Sequence, residues 1–254
     1  MIATEKDIPL LREGGKRLAR VLAAVAEACI PGVSTADLNM LAEKLIRDGG
    51  DIPSLVGYTP HGAKRPYPAT ICISINEEVV HGIPNENPRI IKEGDIVGLD
   101  CVLTHEGVFV DSALSVIAGK GDADASALLR ATKEALAAGI TAARAGNHVG
   151  DISAAIEAVG VERGYGIVYE LGGHGVGHAV HEEPYIPNVG DAGTGEELLP
   201  GMVIAIEPMF TEGTPKVKLL SDGYTFVTRD GSRASHFEHT VLITKKGAEI
   251  LTTL

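Results

Sequence analysis

Residues 171–184 hold the densest concentration of groups able to do chemistry. Within fourteen residues they carry three histidines (His174, His178 and His181), four glycines and two glutamates. Glycines at that density let the backbone turn sharply and let a ligand approach closely. Imidazoles so close together are either metal ligands or proton carriers near neutral pH. The alternative is a glycine-rich hairpin whose histidines only cap it, and this stretch alone does not decide between the two.

Four carboxylates stand beside apolar runs. Asp100 follows Ile-Val-Gly-Leu, Asp111 follows Val-Phe-Val, Glu207 follows Val-Ile-Ala-Ile, and Glu238 precedes a further apolar run. An ionised carboxylate in apolar surroundings must be paired, hydrogen-bonded or bound to metal, although each acid alone could end a strand and reach solvent. Gathered with an imidazole, they would suit Mn, Fe, Co or Zn better than Cu. Two ions roughly 3.5–4 Å apart could share two of the acids, and a water between the ions would lose its proton near neutral pH and act as a nucleophile.

The elements that must position these side chains can be predicted from apolar periodicity. Helices are predicted over residues 5–29, from the N-cap Ser34 to Gly49-Gly50, and over about 123–145 and 150–163. Strands are predicted over residues 71–75, 95–102, 108–117, 167–170, 202–209, 224–228 and 240–244.

The order of these elements occurs twice along the chain. In each half, two helices joined by a glycine turn precede a His-x-x-Pro motif and then a glycine followed by an apolar strand that ends in an acid. The motifs are His81-Gly-Ile-Pro84 and His181-Glu-Glu-Pro184, and the acids are Asp100 and Glu207. Such a repeat indicates an internal duplication. We therefore predict a single α/β domain over residues 1–254 with pseudo-two-fold symmetry, in which strands line a cleft and helices lie behind them.

Composition excludes several classes of partner. The 254 residues carry a net charge of −12 and no Trp, which argues against a nucleic-acid partner. No apolar run approaches the length of a membrane span, and no signal peptide is evident. The three cysteines lack the spacing of a metal site, which predicts buried free thiols in a reducing compartment. We therefore expect a cytoplasmic protein that does not bind membranes.

The strongest indication comes from a set of matching strings. The chain resembles the type I methionine aminopeptidases of metallopeptidase family M24 at residues 71–84, 94–100, 173–177, 181–184, 201–209 and 237–240. The strings run in the family's order and span nearly the whole chain. The resemblance implies an α/β (α+β) pita-bread fold, with two duplicated halves, a central antiparallel curved sheet and helices packed behind the sheet.

The resemblance also implies a site for two divalent metal ions, with Co, Mn, Fe and Zn all left open. Asp100 would chelate one ion, and Asp111 and Glu238 would bridge both. His174 and Glu207 would complete the coordination of the other ion.

Catalytic roles follow from the same resemblance. The bridging hydroxide would attack the first peptide carbonyl, and Glu207 would shuttle its proton. His81 would contact the scissile amide nitrogen, and His181 would donate a hydrogen bond to the developing oxyanion. The implied reaction releases initiator methionine from nascent polypeptides whose second residue is small.

The methionine pocket departs from the family pattern. The expected substrate-binding residues are His81, His181, Tyr58, Cys72, Val180 and Tyr224. Val180 stands where an aromatic residue is expected, Tyr224 stands near a usual Trp, and the segment 59–66 is longer than usual. A roomier pocket would shift discrimination by only about 1–3 kcal/mol for each missing methylene-sized contact.

Two alternatives remain at this point. One is a pita-bread peptidase of another specificity, such as an X-Pro aminopeptidase or dipeptidase, and the other is a non-catalytic module that binds peptides. Glu207 and Glu238 are too close in sequence for the helical insert of type II enzymes between them. The resemblance implies nascent polypeptide N-termini as partners, with ribosome contact left open, and a monomer as the default state.

Overall fold

Residues 2–254, which the computed structural model describes, contain four α-helices and fifteen strands. The helices are α1 (Asp7–Ala28), α2 (Thr35–Asp48), α3 (Ala123–Ala142) and α4 (Val149–Arg163). The strands of the first half are β1 (Ile52–Pro53), β2 (Cys72–Ile75), β3 (Glu78–Val80), β4 (Ile96–His105) and β5 (Val108–Ile117). Those of the second half are β6 (Gly166–Ile167), β7 (Gly172–Gly175), β8 (Glu182–Pro187), β9 (Val203–Ile206), β10 (Met209–Thr211), β11 (Val217–Leu219), β12 (Phe226–Thr228), β13 (Ala234–His236), β14 (Glu238–Thr244) and β15 (Gly247–Ile250).

All four predicted helices are present, and local chemistry explains their ends. The Ser34 hydroxyl accepts a hydrogen bond from the Ala36 N–H at 3.3 Å, so it caps α2 as predicted. Gly164 follows α4 with a φ of 75°, a left-handed conformation that glycine adopts without steric cost. None of these helices combines the length and the apolar character that crossing a bilayer demands, within residues 2–254.

One antiparallel sheet joins the two halves of the chain. Its strand order is β1-β4-β5-β14-β9-β7-β8, with β2 paired to β4 and β15 paired to β14. The β4–β5 hairpin of the first half meets β14 of the second half through the β5–β14 pairing. The halves predicted from the repeated order of elements therefore face one another across the middle of this sheet.

The apolar core is divided in the same way. One cluster packs α1 and α2 against β4 and β5, and includes Leu18, Leu38 and Leu99, each at most 1% exposed. A second cluster packs α3 and α4 against β9 and β14, and includes Leu128 and Ile204, both fully buried. Each half thus uses its helices to cover one face of the sheet and leaves the other face available for polar side chains.

Several strand predictions were wrong in extent. The strand predicted over 95–102 continues to His105, and the one predicted over 240–244 begins at Glu238. The predicted strand 202–209 is interrupted after Ile206, because Pro208 has no N–H to continue a ladder. The predicted strand 167–170 survives only as Gly166–Ile167, and the next strand begins at Gly172. Between them, the Val168 N–H still donates to the Met209 carbonyl at 3.0 Å, while the buried Asn188 side chain lies 3.5 Å from both the Val168 and the Leu171 carbonyl oxygens. Strand β12 begins at Phe226 rather than Tyr224.

Candidate metal centre

Strand register brings two of the predicted acids level with each other. Asp100 in β4 pairs with Ala113 in β5, and Ala113 pairs with Glu238 in β14. Residues directly opposite each other in an antiparallel sheet present their side chains on the same face. Asp111 lies two residues before Ala113 in β5 and so shares that face, because side chains alternate along a strand. Asp100 and Asp111 lie within long strands rather than at strand ends, because the apolar run continues beyond each acid.

The two remaining ligands come from the neighbouring strands on the other side. The β9–β14 register pairs Ile206 with His239. Because the two strands are antiparallel, Glu207, the residue after Ile206, lies opposite Glu238, the residue before His239. His174 in β7 pairs with Ala205, which lies two residues before Glu207 and shares its face. Strand register therefore brings all five predicted ligands to one face of the sheet.

Short distances join four of these side chains, those of Asp111, His174, Glu207 and Glu238. His174 Nε2 lies 3.7 Å from Asp111 Oδ2 and 3.6 Å from Glu207 Oε1. Asp111, His174 and Glu238 each offer a ligand atom, and these atoms lie within 4.8 Å of one another. Asp111 and Glu238 are 4% and 2% exposed, so both carboxylates are withdrawn from water.

Crowding of buried carboxylates changes their protonation. Burial raises the pKa of Asp111, and the neighbouring charges of Asp100 and Glu207 raise it further. Burial and then Asp111 likewise raise the pKa of Glu238. Burial raises the pKa of Asp100 to about 6, although the charge of His236 opposes the change. The metal-free site therefore holds protons on carboxyl groups that would be ionised in water.

Glu207 behaves differently from these acids. Burial alone would raise its pKa, but the nearby imidazole of His236, together with His174 and His81, outweighs burial and lowers the pKa. His236 Nε2 lies 3.4 Å from Glu207 Oε2. Glu207 is thus the acid of this cluster that is best able to remain ionised near neutral pH.

Two orphaned oxygen atoms show that the cluster fits a divalent metal. Asp111 Oδ1 and Glu238 Oε1 are buried and have no hydrogen-bond partner. Buried polar atoms in folded proteins are normally satisfied, so atoms left bare on adjacent carboxylates call for a cation. Four carboxylates with one imidazole form a hard, oxygen-rich donor set of the kind that Mn, Fe, Co and Zn accept.

Metal binding should therefore depend steeply on pH. We expect the affinity for Mn²⁺ or Zn²⁺ to rise by at least about tenfold per pH unit below about pH 6, because binding must displace the proton held by Asp100 and those shared by Asp111 and Glu238. Calorimetric titration of metal-free protein, in two buffers with different ionisation enthalpies, measures both the affinity and the number of protons released. Asp100→Asn should release fewer protons. An affinity that does not change with pH, with no proton released, would contradict the prediction.

Two predicted histidines border the cluster. His81 directly follows β3 with a φ of 60°, and its ring lies edge-on to Phe226. The His181 ring stands 4.4 Å from the His174 ring. Burial is the main cause that lowers the pKa of both His81 and His181 to about 4, with Glu207 opposing it in each case. Both imidazoles are therefore neutral near pH 7, so each can donate one N–H and accept at its other nitrogen.

The predicted substrate-binding residues gather in one apolar cluster beside His181. Cys72, Val180 and Tyr224 are buried there together with Tyr67, and Tyr58 is packed against them. On the other side of the histidines lies an open cleft of about 570 Å³, lined by His81, His174, His181, Glu207, Glu170 and Tyr185 among others. The cleft and the apolar cluster therefore meet at His181, whose ring lines the cleft and contacts the Tyr58 ring.

Some residues at the site were missed, and one predicted candidate lies elsewhere. His236 was not predicted, although it stands two residues before Glu238, a spacing that places side chains on one face of an extended chain. The buried Asn188 donates to the Glu207 carbonyl oxygen at 3.2 Å, and no sequence signal marks it. His178 is exposed and lies 3.5 Å from Asp7 at the start of α1, so the structure does not bring this third histidine of the glycine-rich stretch to the carboxylates.

Comparison with known proteins agrees with this architecture. Residues 9–245 match the sequence profile of metallopeptidase family M24. The chain is 49% identical over 253 residues to a methionine aminopeptidase from Aquifex aeolicus, covering 99% of this chain and 98% of that protein. It is 43% identical over 252 residues to a methionine aminopeptidase from Clostridium acetobutylicum, covering 99% of this chain and 98% of that protein.

The comparison with solved structures agrees with the sequence comparison. A methionine aminopeptidase from Thermotoga maritima superposes with a TM-score of 0.95 at 39% identity, covering 100% of this chain and 99% of that one. A prolidase from Pyrococcus furiosus superposes with a TM-score of 0.77 at 22% identity over 65% of its own chain, which shows a shared fold alone. The pita-bread fold predicted from the sequence, an antiparallel curved sheet with four helices behind it, is confirmed. With a matched family profile, full-length relatives and a buried Asp–His–Glu cluster, the chain belongs to metallopeptidase family M24 and, within it, to the methionine aminopeptidases.

Proposed function

We propose that this protein is a metal-dependent aminopeptidase that hydrolyses the first peptide bond of newly made polypeptides and releases their N-terminal methionine. The observation that carries the proposal is the convergence of Asp111, His174 and Glu238 on one buried point, near the apolar cluster of Cys72, Val180 and Tyr224. A metal centre with an apolar cluster near it would suit removal of one terminal residue better than cleavage within a chain.

Five side chains would hold two divalent ions. Asp111 and Glu238 each carry a buried oxygen without a hydrogen-bond partner, which suits them to bridge two ions. Asp100 on one side, and His174 with Glu207 on the other, would complete the two coordination shells. Mn, Fe, Co and Zn all fit this donor set. When bound, such ions supply Lewis acidity and a water-derived nucleophile at neutral pH.

The chain's own residues move the proton and receive the developing charge. The lowered pKa of Glu207 keeps its carboxylate ionised, and in this position the carboxylate would take a proton from the attacking water and pass it to the leaving nitrogen. His81 would hydrogen-bond the scissile amide nitrogen. The neutral His181 ring would donate one N–H to the carbonyl oxygen as that oxygen becomes negative.

The apolar cluster would hold the methionine side chain. Cys72, Val180 and Tyr224 are at most 7% exposed, so a thioether inserted among them leaves water and gains dispersion contacts. The residue after methionine would lie between His81 and His181, where space is limited by both rings. A small second residue is therefore favoured in the substrate.

The cellular setting of the proposal follows from this substrate. Newly made polypeptide N-termini arise where proteins are synthesised, so we place the enzyme in the cytoplasm, with contact at the ribosome as an open question for binding experiments. Cys29, Cys72 and Cys101 carry no disulfide, which suits a reducing compartment. We further propose that residues 1–254 act as one catalytic domain and as a monomer.

Peptide hydrolysis tests the proposal directly. Protein loaded separately with Mn, Fe, Co or Zn is incubated with Met-Gly-Met-Met and with Ala-Pro peptides, and the released residues are identified by mass spectrometry. We expect methionine from the first peptide and no turnover of the second. Turnover of Ala-Pro without release of methionine would replace the proposal with an X-Pro peptidase. Failure to release any N-terminal residue from a broad peptide library would favour a binding module.

A further inference from the structure

Tyr58 makes a contact that a wall of the methionine pocket does not require. Its hydroxyl oxygen lies 2.7 Å from His181 Nδ1, within ordinary hydrogen-bond distance. The two ring centroids are 5.4 Å apart and the ring planes are tilted by 42°. The hydroxyl thus occupies Nδ1 and leaves Nε2 as the ring nitrogen of His181 that is available to a substrate.

The direction of this hydrogen bond determines what His181 can do. A neutral imidazole carries one N–H, and the partner of one nitrogen decides which nitrogen holds the proton. A tyrosine hydroxyl that donates to Nδ1 leaves the proton on Nε2, where it can point at the substrate. If Nδ1 carried the proton instead, Nε2 would present a lone pair to the developing oxyanion and repel it.

We infer that Tyr58 is a positioning residue for the reaction, whose hydroxyl donates to His181 Nδ1 and so keeps the N–H of Nε2 aimed at the carbonyl oxygen of the scissile bond. The inference rests on the proposed function, in which His181 is the oxyanion donor. It gives Tyr58 a role in the rate of hydrolysis besides contact with the methionine side chain.

The backbone holds Tyr58 in place at the base of the segment 59–66. The Gly57 N–H donates to the Tyr67 carbonyl at 2.9 Å, and the Tyr67 N–H donates to the Tyr58 carbonyl at 2.8 Å. These two bonds pair the residues on either side of the segment, as in the base of a hairpin. The longer loop of this chain is therefore closed at the residue whose side chain reaches His181.

Arg65 anchors the C-terminal end of the segment 59–66. Its guanidinium donates to both carboxylate oxygens of Glu86, at 2.6 and 2.7 Å, and to the Asp222 carbonyl at 3.2 Å. The Tyr224 hydroxyl donates to the Arg65 carbonyl oxygen. An exposed single ion pair would contribute little, but a bidentate pair with two further hydrogen bonds fixes geometry. We call Arg65, Glu86 and their bonded partners the loop brace.

The test removes only the hydroxyl. Tyr58→Phe keeps the ring in the pocket, so KM for a methionine peptide should stay within about twofold while kcat falls about tenfold, a loss comparable to that seen when the group that orients a metal-bound histidine is removed. Tyr165→Phe is the matched control, because Tyr165 stacks on Phe210 away from the histidines. Metal content and thermal unfolding should be unchanged in both variants.

A double-mutant cycle separates this inference from the proposed function. In a His181→Ala background, Tyr58→Phe should cause no further fall in kcat, since the hydroxyl acts through the missing ring. A full additional fall there, or an unchanged kcat for Tyr58→Phe alone, would overturn the inference. Full activity of His181→Ala would instead overturn the oxyanion role of His181 itself.

Nitrogen NMR reports which ring nitrogen of His181 carries the proton, and a purely structural role of Tyr58 would not change this. In zinc-loaded protein with ¹⁵N-labelled histidine, the His181 signals, assigned by their loss in His181→Ala, should report a protonated Nε2 and a bare Nδ1. Tyr58→Phe should shift these signals toward a mixture of the two forms. A wild-type spectrum with the proton on Nδ1 would overturn the inference.

The brace is tested by removing its cation. Arg65→Ala should lower kcat in the same sense as Tyr58→Phe and by a smaller factor, because the loop end is released while the hydroxyl remains. Arg163→Ala breaks an exposed ion pair with Glu134 on α3 and serves as the control. An unchanged kcat in Arg65→Ala would overturn the role of the brace.

Discussion

Replacing Asp111 with alanine is expected to abolish peptide hydrolysis and to lower the metal content of the protein in the same variant. Asp111 lies 3.7 Å from His174 Nε2, is 4% exposed and carries an oxygen without a hydrogen-bond partner. In the proposed site this carboxylate would serve both metal ions, so its loss should reduce kcat/KM by at least about a thousandfold. Steady-state hydrolysis of a methionine peptide and elemental analysis of the same sample measure the two effects.

The stability of this variant should not fall with its activity. Asp111 in the metal-free protein is a buried carboxyl group crowded by Asp100 and Glu207, and removing it relieves that repulsion. Thermal unfolding without metal should therefore occur at an equal or higher temperature. Asp48→Ala, which removes an exposed carboxylate at the end of α2, is the control for charge. Unchanged activity with a full metal complement in Asp111→Ala would show that the bridging assignment is wrong.

The acids were predictable because their surroundings are anomalous. Asp100 and Asp111 interrupt apolar runs, and a buried carboxylate without a partner is too costly to leave unexplained. The repeated order of elements then predicted that the two halves would bring Asp100 and Glu207 to one centre. The β5–β14 pairing that joins the halves agrees with this prediction. Strand register itself was not predictable, because it depends on the pairing of strands far apart in sequence.

Contacts between distant loops could not be predicted from the sequence. Tyr58 and His181 are separated by 123 residues, and the hydrogen bond between them depends on how a loop of the first half folds over a hairpin of the second. The residues next to Tyr58 in the sequence do not show whether its side chain only contacts the substrate or also donates a hydrogen bond. The buried Asn188 poses the same problem, since its partners are carbonyl groups that only the tertiary fold brings to it.

The neighbours of Val180 explain how a valine can occupy a position where an aromatic residue is expected. Val180 is buried in a cluster that already contains Tyr67 and Tyr224, whose rings meet edge-on with centroids 5.1 Å apart. Arg65 lies over the Tyr224 ring at 5.9 Å, so the loop brace also backs this aromatic pair. Tyr67 and Tyr224 thus supply aromatic contact in the cluster around Val180. Specificity for methionine with a valine at this position stays a prediction that the peptide assay checks.

Replacing His81 with alanine is expected to lower kcat by about a hundredfold while the metal content stays unchanged. His81 lines the cleft beside the carboxylates, and burial lowers its pKa to about 4, so near pH 7 it is a neutral hydrogen-bonding group and carries no charge that the metal site needs. In the proposed mechanism the His81 ring acts on the scissile nitrogen, so its loss should appear mainly in kcat. Hydrolysis kinetics and elemental analysis together distinguish this behaviour from that of Asp111→Ala.

The backbone conformation of His81 makes His81→Gly a useful control for His81→Ala. His81 has a φ of 60°, a left-handed conformation that costs roughly 1–2 kcal/mol for a residue with a side chain and that clusters at functional sites. Alanine inherits this strain, whereas glycine does not. If the imidazole itself takes part in catalysis, His81→Gly should be as slow as His81→Ala although it is unstrained. Recovery of kcat in the glycine variant would show that strain, and not the missing imidazole, had caused the loss, and loss of metal in both variants would place His81 among the ligands.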